Sequence, residues 1–216
     1  MRKKVRIYVE GINDIVFLKN YLETVVNFKI DYQGKKDTFE NEKVLGSFVV
    51  TKGWGKINTS YYHKEFQTNR LSGITTLIIL DADTIHNDGG FGVRQAQVEA
   101  VQSTIPFEYF LIPNGGGDGY LETLLSNIIV EEYRDALQCL RGQDECLRAA
   151  NASITGKQLK VSPDKSADKA VMNTFMNRLK NKGPNKFKDA TIWNLNHPYL
   201  EPLKNFLQVH LNEASN

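Results

Sequence analysis

The sequence predicts an α/β fold with a mostly parallel central sheet, helices on both faces and a helical C-terminal extension. Three observations carry this. Short apolar runs such as Val5-Arg6-Ile7-Tyr8-Val9 and Leu77-Ile78-Ile79-Leu80 have the length and β-branched content of strands buried in a parallel sheet. Stretches of helical period alternate with them. Beyond residue 150 the strand patterns stop and only helical ones continue.

Lys4 to Glu10 reads as the first strand. Asn13 is placed to cap the next helix and Asp14 suits its first turn, with Leu18, Tyr21, Leu22 and Val25 on its buried face. Phe28–Tyr32 and Ser47–Thr51 read as strands, separated by a polar loop, Gln33–Glu42. Gly53-Trp54-Gly55 marks a turn, and Asn58 is positioned to cap a helix to Leu71. Thr75–Leu80 is the strongest buried strand. Gly89-Gly90 closes a polar loop ahead of a helix to Ser103, and Phe107–Ile112 is a strand halted by Pro113. Asn114-Gly115-Gly116-Gly117-Asp118-Gly119 then leads into a helical stretch, Tyr120 to Ala150, with a break near Gly142. Ser162-Pro163-Asp164 opens a helix to Lys182, ended by Gly183-Pro184, and a last helix runs from Pro198 to Asn212. The expected division is a core over residues 1–130 and a helical extension over 131–216 packed on it.

With 216 residues and 41% hydrophobic content, the chain is long enough for one large domain with a real core. No apolar run approaches the ~20 residues that cross a bilayer. The N-terminus, Met1-Arg2-Lys3-Lys4, moves directly into a strand pattern rather than into a signal sequence. A cytoplasmic location away from membranes is expected. Cys139 and Cys146 are seven residues apart, which suits neither a metal pair nor a redox motif. The net charge of +2 conceals an asymmetry. Residues 151–188 hold nine Lys or Arg against two Asp, a surplus of +7, whereas residues 1–150 hold 17 basic and 20 acidic groups, net −3. The basic segment suits either a phosphate backbone or a solvated helix face.

Chemistry concentrates at two strand ends. Glu10-Gly11-Ile12-Asn13-Asp14 follows the first strand, and Asp81-Ala82-Asp83 follows Leu77–Leu80. In open α/β sheets the functional crevice lies at the carboxyl ends of the strands. Two acids one residue apart share a side of an extended backbone, and grouped carboxylates repel unless a cation lies between them. A hard divalent ion, Mg²⁺ or Mn²⁺, meets that need. The glycine-rich Asn114–Gly119 turn, also at a strand end, suits close approach of a phosphate at Gly115, Gly116 and Gly117 or simply a tight turn. It is not a Walker loop, because no Gly-Lys-Ser/Thr follows.

Strand-Glu-Gly-x-x-Asp followed by strand-Asp-x-Asp resembles the Toprim domain of topoisomerases, primases and nucleases of the overcoming-lysogenisation-defect class. The whole chain is also similar to a small bacterial and archaeal family of stand-alone Toprim-like proteins, through Tyr8–Asp14, Ile79–Asp83, Phe110–Leu125 and Trp193–Leu200. The resemblance implies a three-layer Toprim-like fold and a metal held by Glu10, Asp81 and Asp83. Asp14 matches a second acid of the nuclease branch, and Glu122 matches its acid in a Leu-Glu pair. It also implies Mg²⁺-dependent phosphodiester chemistry on nucleic acid, with Glu10 as general acid or base. Lys157, Lys165 and Lys169 are the candidate basic helpers, none of them selected by a motif. A non-catalytic metal-, nucleotide- or nucleic-acid-binding module, serving a partner NTPase, is the alternative from another class. A haloacid-dehalogenase-like phosphatase, with Asp81 as nucleophile and Asp83 as acid/base, fits less well, because it leaves Glu10 and Asp14 unexplained.

Overall fold

The computed structural model describes residues 2–32, 37–85, 89–153, 167–179 and 183–212. Its centre is a six-stranded sheet in the order β2-β3-β4-β1-β5-β6. Strand β1 (Lys3–Val9) runs parallel to β4 (Val44–Val50) on one side and to β5 (Ile74–Asp81) on the other, and β6 (Glu108–Ile112) runs parallel to β5. Strands β2 (Lys29–Ile30) and β3 (Thr38–Glu40) add an antiparallel edge beside β4. The expected neighbours β1 and β5 are in register, with Val9 opposite Ile79.

Alternation along the strands builds two apolar layers. Val5, Ile7 and Val9 of β1, Leu77 and Ile79 of β5, and Phe110 and Ile112 of β6 face one layer. Tyr8, Ile78, Leu80 and Leu111 face the other. The second layer is closed by α2 (Trp54–Ile57), α3 (Ser60–Leu71) and α4 (Phe91–Gln102), through Trp54, Ile57, Phe66, Val98 and Val101. The first is closed by α1 (Ile12–Thr24), α5 (Leu121–Ile128), α6 (Arg134–Ser153), α7 (Ala167–Arg178) and α8 (Glu201–Asn212). Two-faced burial is what makes the central strands continuous apolar runs.

The C-terminal elements belong to that same first layer. Leu203, Leu207 and Leu211 of α8 and Trp193 lie within it. Asn20 in α1 fixes the incoming chain: its amide donates to the Pro184 carbonyl at 2.8 Å, and its Oδ1 accepts from the Phe187 N–H at 2.9 Å. Phe187 then packs edge-on against Phe17 and Trp193.

Several boundaries differ from the sequence expectation. The Gln33–Glu42 loop contains β3, in which Phe39 alone is buried, its ring filling the space left by Gly46 opposite. Gly53-Trp54-Gly55 opens the short helix α2, and Thr59 rather than Asn58 precedes α3. Gly11, not Asn13, stands at the start of α1. The Tyr120–Ala150 stretch breaks at Ile129–Val130, not at Gly142, because Val130 N–H donates to the Ile192 carbonyl at 3.0 Å and Asn194 N–H to that of Ile128 at 2.8 Å. The expected helix start at Ser162–Asp164 lies outside the described residues. Among the described residues no helix is long and apolar enough to cross a membrane.

Candidate functional site

Because β1 and β5 are parallel neighbours, their carboxyl ends lie side by side, and each continues directly into an acid. Glu10 follows Val9, and the ends of β1 and β4 stay together: Thr51 N–H donates to the Val9 carbonyl at 2.8 Å and Lys52 N–H to that of Glu10 at 3.0 Å. Gly53 then passes so close that a Cβ on it would lie 3.6 Å from Glu10 Oε2. Glu10 Oε1 is buried and has no hydrogen-bond partner among the described residues. Buried carboxylate oxygens are ordinarily satisfied, so this one calls for a reason.

Asp81 closes β5. Its Oδ1 accepts from the Leu121 N–H at 3.0 Å, at the first residue of α5, and its Oδ2 lies 3.6 Å from Lys169 Nζ on α7. Lys169 also stands over the Tyr120 ring, 4.3 Å from its centroid. Asp83 departs from the expected extended run. Its φ is +62°, so the chain turns there, and its carboxylate meets the guanidinium of Arg94 in α4 at 2.5 Å. The turn is held by two backbone bonds with Gly119, of 2.9 and 2.8 Å. Gly119 has φ +137°, and a Cβ on it would lie 2.6 Å from the Thr123 hydroxyl, so only glycine fits beside Asp83. Asp14 turns back over the start of α1, where its Oδ2 accepts from the Gly11 N–H at 2.7 Å.

The electrostatics reflect burial among like charges. Burial, then Asp83 and Asp14, push the Glu10 carboxyl up to about 7, against the pull of Arg94 and Lys169. Burial raises Asp14 to about 6, with Glu122 adding to it and the Gly11 N–H opposing. Burial holds Asp81 well above the carboxylate range, reinforced by Asp14 and Glu10. Burial works to lower Lys169, but the surrounding acids, Asp81 foremost, outweigh it and raise it. Glu10, Asp14, Asp81, Asp83 and Glu122 thus act on one another through space, with Arg94 and Lys169 as internal counter-charges.

Among the described residues, no three His, Cys, Asp or Glu side chains are grouped tightly enough to hold one ion. Asp81 and Asp83 each turn toward an internal cation instead. The glycine turn divides in two. Gly115 directs its N–H to the Leu111 carbonyl at 2.7 Å and Gly116 to Asn114 Oδ1 at 3.3 Å, so these two N–H groups close the turn itself. Gly117 lies against the Asn114 side chain. Gly119 is the member of the turn that touches the acids. Of the candidate helpers, Lys169 reaches Asp81, while Lys157 and Lys165 lie outside the described residues. Lys188 of the basic segment pairs with Glu23, and Lys186 Nζ donates to Asn13 Oδ1 at 2.8 Å. Arg94 and Tyr120 escaped the sequence reading. The only signal for Arg94 was a lone arginine in the first turn of a helix that follows Asp83.

The sequence profile of DUF3226, described as "Protein of unknown function", matches residues 4–212. The chain belongs to that family. The profile spans both the sheet and the C-terminal helices. No curated protein matches the chain. Among solved structures, a hypothetical protein of Pyrococcus horikoshii OT3 aligns at 14% identity and a TM-score of 0.46, covering 98% of each chain.

Proposed function

We propose that this DUF3226 protein is a Toprim-like, Mg²⁺- or Mn²⁺-dependent protein that acts on nucleic-acid phosphodiesters. The observation that carries the reading is Glu10 Oε1, a buried carboxylate oxygen without a partner among the described residues, set among acids raised by burial and then by one another. The residues fit a hard divalent ion in type. All are oxygen donors, and Glu10 has coordination to spare. As they stand these acids are not grouped tightly enough for one ion; Glu10, Asp81 and Asp83 would hold it once Arg94 and Lys169 release Asp83 and Asp81, with Asp14 and Glu122 adding negative potential behind them. When bound, a divalent ion there supplies charge stabilisation to a phosphate. Glu10 is also the carboxylate that would accept or return a proton at the attacking or leaving oxygen. Arg94 and Lys169, once they release Asp83 and Asp81, are cations within reach of a phosphate on the same acids. Both are held poised, Lys169 by the Tyr120 ring and Arg94 by Gln97, which accepts from its Nη1 at 2.9 Å.

The test is incubation of the purified chain with supercoiled and single-stranded DNA and with RNA, in Mg²⁺, Mn²⁺ or chelator. Cleavage or strand transfer that needs the metal and disappears in Glu10→Gln supports the reading. Activity that survives chelation, or in Glu10→Gln, contradicts it. Binding of nucleic acid should weaken steeply with salt, because phosphate contacts release counterions, and Lys157→Ala, Lys165→Ala, Lys169→Ala together should flatten the slope. A second reading is a non-catalytic module partnering an NTPase. The internal pairs Arg94–Asp83 and Lys169–Asp81 favour it, since they already offset two of the acids. Nucleic-acid binding without turnover in any metal would select it.

A further inference from the structure

Beside the acids lies a cavity of about 300 Å³ that the phosphodiester reading does not use. One wall carries Asn13 and Glu122, and α7 supplies Met172, Asn173, Met176 and Asn177. Cavity and crevice share a wall. Glu122 lines the cavity and acts electrostatically on Asp14 and Asp81, and Asn13 directly precedes Asp14.

The chemistry of α7 selects an occupant. Met172 and Met176 are four residues apart, as are Asn173 and Asn177, so they form two adjacent ridges on one helix face. The thioether ridge is the more buried and the amide ridge is exposed. Thioethers present a polarisable apolar surface suited to the face of an aromatic ring. A carboxamide carries a donor and an acceptor side by side, the complement of the donor–acceptor edge of a base. The volume lies at the small end of ligand sites, which run from ~300 Å³ upward, and suits a base with its sugar rather than a longer segment.

We propose that this cavity is a nucleobase subsite. The base lies with its face on Met172 and Met176 and its edge on Asn173 and Asn177, while the 5′-phosphate of the same nucleotide points to the acids. Placement of the phosphate rests on the phosphodiester reading, whereas recognition of the base does not.

The test is an NMR-detected titration of the full chain with adenosine, guanosine, cytidine and uridine, with ribose as the control. At least one nucleoside should bind at least tenfold more tightly than ribose. Asn173→Ala, Asn177→Ala, at two exposed positions, should remove that advantage. Asp81→Asn, Asp83→Asn should keep it. The proposal is overturned if no nucleoside binds more tightly than ribose, or if the double Asn variant binds it as the wild type does. The two readings separate cleanly. Nucleoside binding in a chain that never cleaves nucleic acid removes only the phosphodiester reading. Metal-dependent cleavage with no nucleoside preference removes only the subsite.

Discussion

Strand β1 and the residue that follows it supply polar side chains to two regions that treat them in opposite ways. Tyr8 faces α3, where its hydroxyl donates to Glu65 Oε1 at 2.8 Å and accepts from the Asn69 amide at 2.8 Å. Asn69 also donates to the Thr76 hydroxyl at 3.0 Å, and its Oδ1 accepts from Arg6 at 3.0 Å. Arg6 in turn bonds Glu65 at 3.0 Å. Each member of that network finds a partner within it. Two residues further along, Glu10 keeps an oxygen that has no partner among the described residues and lies among like charges. A buried polar network that closes on itself ties elements together, here β1, β5 and α3. One that stays open carries a cost that stability alone does not explain, and it marks where a ligand completes the set. The closed network serves the fold, and the open one is where we propose that an ion binds.

The largest expected effect that sharpens this contrast is on turnover. Glu10→Gln keeps the shape and removes the proposed proton-transfer group, so metal-dependent cleavage should fall ~10²–10⁴-fold while nucleic-acid binding persists. A rate within threefold of wild type would remove Glu10 from the chemistry.

The next effect concerns pH. Glu10 is raised from an ordinary 4.5 to about 7, and Asp14 from 3.8 to about 6. The folded chain therefore holds protons that the unfolded chain has released, and stability present below pH ~4 is lost as pH rises through ~7. For Glu10 this amounts to roughly 3 kcal/mol. Thermal unfolding in chelator should show Tm falling between pH 4.5 and 7.5, and Glu10→Gln should flatten the fall. A wild-type Tm that rises over that window would contradict the burial of these acids.

In the closed network, Asn69→Ala removes the donor to the Tyr8 and Thr76 hydroxyls and one acceptor of Arg6, and should cost about 1–3 kcal/mol, read from denaturant unfolding. Glu10→Gln at pH 8 should cost nothing or stabilise, because it removes a buried charge. If the two variants destabilise alike, the distinction between closed and open networks fails.

The smallest effect concerns Arg94. A divalent ion on Asp83 competes with this guanidinium, so Arg94→Gln should tighten Mn²⁺ binding by ~10-fold, about 1.4 kcal/mol. Unchanged or weaker affinity would mean that Arg94 helps the metal rather than opposing it.

The parts of this molecule that were legible in its sequence are those whose physics is local. Strands β1 and β5 are buried on both faces, so their apolar runs announce themselves, and Glu10, Asp81 and Asp83 are conspicuous because they follow such runs directly. Strand β3 was hidden because it is three residues long and buries only Phe39. The break at Ile129–Val130 carries no glycine or proline, since pairing with Ile192 and Asn194 imposes it. Arg94 was invisible for the same reason. Nothing in its helix distinguishes it from a surface arginine until the turn at Asp83 brings α4 against the strand ends. In Asn114–Gly119 the run of glycines drew attention to Gly115–Gly117, whereas the conformational need falls on Gly115 and Gly119, and Gly119 is the one bonded to Asp83.

The central claim is that the open acids form a divalent-cation site, and Mn²⁺ titration followed by electron paramagnetic resonance tests it most directly. The wild-type chain should bind Mn²⁺ at one site that Mg²⁺ displaces, with a matching rise in Tm, and Asp81→Asn, Asp83→Asn should lose both the binding and the rise. Mn²⁺ bound equally well by that double variant, with the full rise in Tm, would place the metal elsewhere and contradict the account.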